Sequence, residues 1–124
     1  MDIAACEMKN CYYEKVTFHK NFYNNTSIQE CTFKNCIFKD EKFLINMKNC
    51  QFINCKFKNV KYERSTTEAI TMKKCEIFNV DLANMHAERY KFVSCTLKDV
   101  SIDICYLFGY LFFDTNFFDT QIIY

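Results

Sequence analysis

Residues 49–60 read Asn-Cys-Gln-Phe-Ile-Asn-Cys-Lys-Phe-Lys-Asn-Val, and the pair Cys50/Phe52 returns five places later as Cys55/Phe57. Outward from this stretch, all nine cysteines keep a spacing in multiples of five. Cys6, Cys11, Cys31 and Cys36 share one frame; Cys50, Cys55, Cys75, Cys95 and Cys105 share another, displaced by one residue. Two places after each cysteine stands Met8, Tyr13, Phe33, Phe38, Phe52, Phe57, Ile77, Leu97 or Leu107. A period of five belongs neither to a helix at 3.6 nor to a single strand at 2. It is an internal repeat, and it governs every other reading of the chain.

The large residue can be taken as the centre of each pentad, with a small inward site two residues before it. The centres then run from Met8 to Phe43, lose one residue in a frame slip at 41–45, and resume from Met47 to Ile122. Only Thr67 and Ala87 are not large and apolar. A pentad with two side chains inward and three outward must turn about once per repeat. Four turns close a square, so residues 20 apart should stack. Cys36, Cys55, Cys75 and Cys95 then fall in one column, and Val60, Val80 and Val100 in another. At a strand separation of about 4.8 Å, about six coils make a rod roughly 29 Å long. The corners fall on Asn10, Asn25, Asn35, Asp40, Asn49, Asn54, Asn59, Asn79, Asn84, Asp99, Asp114 and Asp119. With one glycine and no proline in the chain, asparagine and aspartate are expected to make the turns.

These pentads resemble the pentapeptide-repeat family over roughly residues 6–122, which implies an all-β, right-handed quadrilateral β-helix spanning 1–124 as a single domain. The runs at 30–40 and 49–60 are also similar to the luminal domain of the synaptic vesicle glycoprotein family. In those relatives a Phe-Lys-Asn-Cys-Thr-Phe stretch carries a sequon used in recognition by a clostridial neurotoxin. Here Ile37 replaces the threonine in the matching stretch, Phe33 to Phe38, so Asn35 is no glycan acceptor.

Composition narrows the function classes. Sixteen basic and 15 acidic residues give a net charge of +1, which steers the chain toward neither nucleic acid nor acidic membrane. The longest apolar run, residues 104–113, is half of the roughly 20 residues a membrane helix needs. No targeting segment is legible, and the compartment stays open between a soluble protein and a luminal or extracellular insert of a transporter.

The cysteines read as small buried hydrophobes. Their C-x4-C pairs lie on adjacent faces and their columns are lines, neither of which suits a tetrahedral metal site. No cofactor is expected. His19 and His86 both point outward, more than three coils apart, with no serine, cysteine or aspartate expected beside either. No catalytic residue is expected.

Three surface features stand out. Lys39, Lys56, Lys58, Lys61, Arg64 and Lys98 form a candidate basic face, more suited to solvent or an acidic partner than to nucleic acid. The terminal coil, 105–124, carries Tyr106, Phe108, Leu111, Phe113, Phe118, Ile123 and Tyr124 at outward positions. Such a patch is expected to be a cap folded over the end of the rod, an interface with a partner or a second copy, or a surface covered by the rest of a longer protein. Asn24 and Asn25 lie in overlapping glycosylation sequons. The expected function is therefore a non-catalytic scaffold for protein binding. Mimicry of DNA by a topoisomerase-binding rod requires a strongly negative surface and fits poorly with +1.

Overall fold

The computed structural model describes residues 2–4, 7–82, 85–103, 107–109 and 111–123. Seventeen strands form one continuous parallel sheet wound on itself, with no helix among the described residues. The first lap shows the plan. Asp2–Ala4, Glu7–Lys9, Tyr12–Glu14 and Thr17–His19 are four short strands on four successive faces. The next strand, Phe22–Gln29, then returns to pair in parallel with Asp2–Ala4. The solenoid is quadrilateral, as expected. It makes about five turns, against the six coils expected.

The register repeats at 20 residues throughout the second half: Ser65 pairs with Met85, Val80 with Val100, and Lys91 with Leu111. Across the slip it drops to 19, with Phe38 opposite Phe57 and Phe33 opposite Phe52. Backbone amides keep the cysteine columns aligned. Cys36, Cys55, Cys75 and Cys95 each accept through their carbonyls from the next lap, at 3.0 Å in every case.

The corners explain how the chain turns without glycine. All eleven described Asn and Asp corners have φ between 46 and 55°, in the left-handed region. Eight residues of other types share that region, with φ between 42 and 56°: Lys15, Lys20, Glu30, Arg64, Ala69, Lys74, Arg89 and Ser94. The expectation that only asparagine and aspartate turn this chain is therefore corrected. Two stacked strand faces flank every corner, and their ladders hold even a lysine in a conformation it disfavours by about 1–2 kcal/mol. Asn84 lies outside the described residues.

The core is two kinds of column. Rings at the centre positions stack along the axis, Phe33 on Phe52 at 4.9 Å and Phe38 on Phe57 at 4.8 Å, with planes within 6° of parallel. Rings on adjacent faces of one lap meet edge-on, as Phe52 and Phe57 do at 65°. Both geometries are favoured by the ring quadrupole. At the inward sites each cysteine is more than a small hydrophobe. Cys55 Sγ lies 3.3 Å from Phe33 O and 3.4 Å from Ile53 O, so its S–H faces two carbonyls of adjacent laps. Ser65 takes the same position with 3.1 Å bonds to Phe43 O and Glu63 O, and Thr115 and Thr120 repeat it. The small inward site is thus a hydrogen-bond donor site as well as a space filler. Cys6 and Cys105 lie outside the described residues.

The two small centres are compensated. Thr67 and Ala87 stack on each other, and on the neighbouring face the inward column swells to Ile70 and Tyr90, both fully buried. Tyr90 stacks on Phe92 at 4.9 Å and turns its hydroxyl to Met72 Sδ at 3.7 Å.

Candidate functional site

Three surfaces and one buried polar cluster carry the chemistry of this molecule. On the terminal laps, strands Leu111–Phe113, Asn116–Phe118 and Gln121–Ile123 stay in parallel register with the lap before them, Ile122 opposite Ile102. They continue the stack in the register of the lap before them. Leu111, Phe113 and Phe118 are 48, 63 and 54% exposed. One lap earlier the same rungs hold Lys91, Val93 and Lys98. Phe117, an inward centre in the lattice, is 40% exposed because the described chain places no ring over it. The backbone strands of Phe108 and Ile123 belong to this end, while Tyr106 and Tyr124 lie outside the described residues.

The candidate basic face is only partly a row of cations. Lys39, Lys58 and Lys98 share one column, and Phe78 interrupts it. Lys56 lies 3.8 Å from Glu76 and Lys61 3.7 Å from Glu63, so both are partly neutralised. Glu63 also holds Lys42 at 3.5 Å. Spacing along the chain reveals the lysines, whereas Glu76 reaches Lys56 only through the stacking of successive laps.

His19 does have an aspartate beside it, contrary to expectation. Its Nε2 is 3.2 Å from Asp40 Oδ2, because the two residues stand on successive laps of one corner. A hydrogen bond from Asn59, and then His19, hold the Asp40 carboxyl below the usual range. His86 pairs with Glu88 at 3.7 Å. Among the described residues, no group of three or more His, Cys, Asp or Glu is placed to hold a metal ion. No described helix is long and apolar enough to cross a membrane.

The buried cluster lies at the frame slip. The register shift falls between Asn24/Thr26 on one strand and the consecutive pair Leu44/Ile45 on the next. Glu41 points inward at 2% exposure, stacked on Val60. Three donors reach it: Asn21 N at 2.6 Å, Asn21 Nδ2 at 3.1 Å and the Tyr23 hydroxyl at 3.2 Å. Burial outweighs these bonds and pushes its carboxyl above the ordinary range. Tyr23 is pushed up in turn, first by burial and then by the charge of Glu41. Of the sequon residues, Asn24 is half-buried and Asn25 exposed on the same corner.

No family model matches the sequence, and no curated protein matches it. Among solved structures, the pentapeptide repeat protein Rfr23 from the cyanobacterium Cyanothece 51142 aligns with a TM-score of 0.57 at 10% identity, covering 94% of this chain and 86% of its own. HetL, a pentapeptide repeat protein involved in heterocyst differentiation regulation in Nostoc, aligns at a TM-score of 0.33 and 9% identity, over 96% of this chain and 86% of its own. QnrB1, a plasmid-mediated fluoroquinolone resistance protein, aligns at 0.30 and 10%, over 99% and 70%. None of these three is a synaptic vesicle protein. The likeness to Rfr23, together with the four-faced register and the left-handed corner every fifth residue, establishes that this chain has the pentapeptide-repeat fold.

Proposed function

We propose that this chain is a non-catalytic scaffold that binds another protein through its terminal coil. The observation that supports it most is the row of Leu111, Phe113 and Phe118, each about half or more exposed, on rungs where the preceding lap is charged or small. An apolar patch of this kind on otherwise charged faces is the usual mark of an interface. Among the described residues no further strand pairs with the outer side of Asn116–Phe118 or Gln121–Ile123, and an edge of that kind is what a partner extends by strand addition. The nearest thing to catalytic geometry, the His19–Asp40 pair, is solvent-exposed and lacks a nucleophile within the described contacts. A second copy of the chain is the first partner to test. Light scattering over a concentration series is expected to show a mass above the monomer. The double substitution Phe113→Ser/Phe118→Ser should return it to monomer with an unchanged circular dichroism spectrum. An assembly that persists in the double variant would reject this interface.

A further inference from the structure

The frame slip leaves a recess on one corner of the solenoid. In the earlier lap that corner is built by Asn24 and Asn25, and in the later lap by Glu63 and Arg64. Between them it is built by Leu44 alone, since Thr26 pairs directly with Ile45. Asn25 and Arg64 take the left-handed conformation at φ 52 and 42°, and no described residue from 41 to 48 does. Ser65 closes the shortened rung from above, accepting Ile45 N–H at 3.1 Å. Two full corners thus flank a short one, and the hollow between them has a volume of about 300 Å³. Asn25 and Ser27 line its first lip, Leu44 and Asn46 its floor, and Arg64 and Thr66 its second lip.

The lining has one formal charge and several donors. The acids near it in sequence are engaged elsewhere: Glu63 with Lys42 and Lys61, and Glu68 with Lys48 and Arg89. Arg64 forms no ion pair among the described residues. No carboxylate lines the hollow to hold a cation, and no ring lines it to stack a base. A guanidinium presents a planar fork of donors that matches the two oxygens of a carboxylate.

We propose that this notch is a carboxylate-binding site, with Arg64 as the fork and Ser27, Thr66, Asn25 and Asn46 as supporting donors. Its volume sits at the small end of ligand sites, roughly 300–1,000 Å³, which suits one carboxylate on a short stem. That stem is either a small free dicarboxylic acid or the acidic side chain of a peptide. The site stands apart from the terminal coil and does not depend on what that coil binds.

The test is an amide NMR titration of the whole chain with glutarate and, separately, with an acetylated Gly-Glu-Gly amide. Shifts are expected first at residues 25–27, 44–46 and 64–66. Arg64→Asn, which suits the left-handed corner, should weaken binding about tenfold or more, as loss of a charge-assisted hydrogen bond implies. Thr66→Val gives a second reading at an exposed position should Arg64→Asn disturb the fold. Inserting one asparagine between Leu44 and Ile45 restores the five-residue spacing and should abolish binding while keeping the circular dichroism spectrum. Glutarate binding as well as the peptide supports a free acid; a peptide preference supports an acidic side chain. The proposal is overturned if neither probe shifts these amides, if shifts spread evenly over lysine rungs such as Lys39 and Lys58, or if the variants bind as the parent does.

Discussion

Each thiol from Cys31 to Cys95 sits between carbonyls of two laps, so a cysteine here spans a joint in the wall of the solenoid. Cys50 is fully buried, and burial pushes its thiol up to about 11. Cys31 and Cys36 are raised by the same cause, and Cys75 is held up by the thiols of Cys55 and Cys95 and then by burial. Since the thiolate is the reactive form, alkylation of the native protein at pH 8 should label the half-buried Cys11 ahead of Cys31, Cys36, Cys50 and Cys75. Mass spectrometry of tryptic peptides reads the order, and early labelling of Cys50 would contradict it. Glu41 is the other residue whose setting has a measurable consequence. Its folded carboxyl is raised above the ordinary value of 4.5 by burial, so the folded state holds that proton more tightly than the unfolded chain. The stability it contributes is therefore complete below about 4.5 and is lost as pH rises through the folded value. The groups that face it are Asn21, Tyr23 and, through space, His19. Melting midpoints between pH 4 and 8 should fall less steeply in Glu41→Gln than in the parent. Parallel profiles would show that Glu41 does not set the slope.

A strand in this fold is three residues of wall and a corner, and the corner is where stability can be gained. Ala69 has φ of 56° and cannot offer the local hydrogen bond that lets asparagine rest there. Ala69→Gly should raise stability by about 0.5–1 kcal/mol, after the entropy glycine adds to the unfolded chain is deducted. A shift in the urea midpoint at constant slope would show it, and a lower midpoint would rule it out. Where asparagine does occupy the corners it also forms ladders along the rod. Asn54 Nδ2 donates to Asn35 Oδ1 at 2.7 Å, Asn59 to Asp40 at 2.9 Å, and Asn79 to Asn59 at 2.6 Å. Much of this was legible beforehand. A cysteine and an aromatic ring every fifth residue define both inward columns, and asparagines two places on mark the corners they occupy. What escaped the sequence depends on cross-lap neighbours. Lys15, Lys74 and Arg89 turn because stacked walls force them to, not because of their own preferences. No local pattern shows how Glu41 is satisfied at an inward site, since its donors, Asn21 and Tyr23, lie about a lap away. Tyr90 fills space that Thr67 and Ala87 leave, a trade between faces that no local pattern reveals. Of the candidate surfaces, the apolar coil was readable from residue type alone, but the notch at 44 was not, since a missing residue shows only as a shift in phase.

At the scale of the molecule, each lap touches only the laps before and after it, the condition under which a repeat protein gains stability lap by lap. Removing residues 56–75 joins Cys55 to Glu76, the same Cys-Glu step as Cys75–Glu76 in the parent, and preserves every column because the register there is 20. The shortened chain is expected to fold and melt cooperatively with a smaller enthalpy by calorimetry. A deletion of 56–72, seventeen residues, throws every later pentad out of phase and should not fold; the opposite outcome would undo the five-residue lattice. The uniform register also sets how the rod yields to force. Because parallel bonds tie each residue only to partners about one lap away, a pull on the two ends would unspool the thread turn by turn, like cord from a bobbin. Each turn frees 20 residues, about 66–72 Å of slack at full extension. The turn through Leu44 and Ile45 frees one residue fewer, a shortened step that would mark the slip's position in an extension trace.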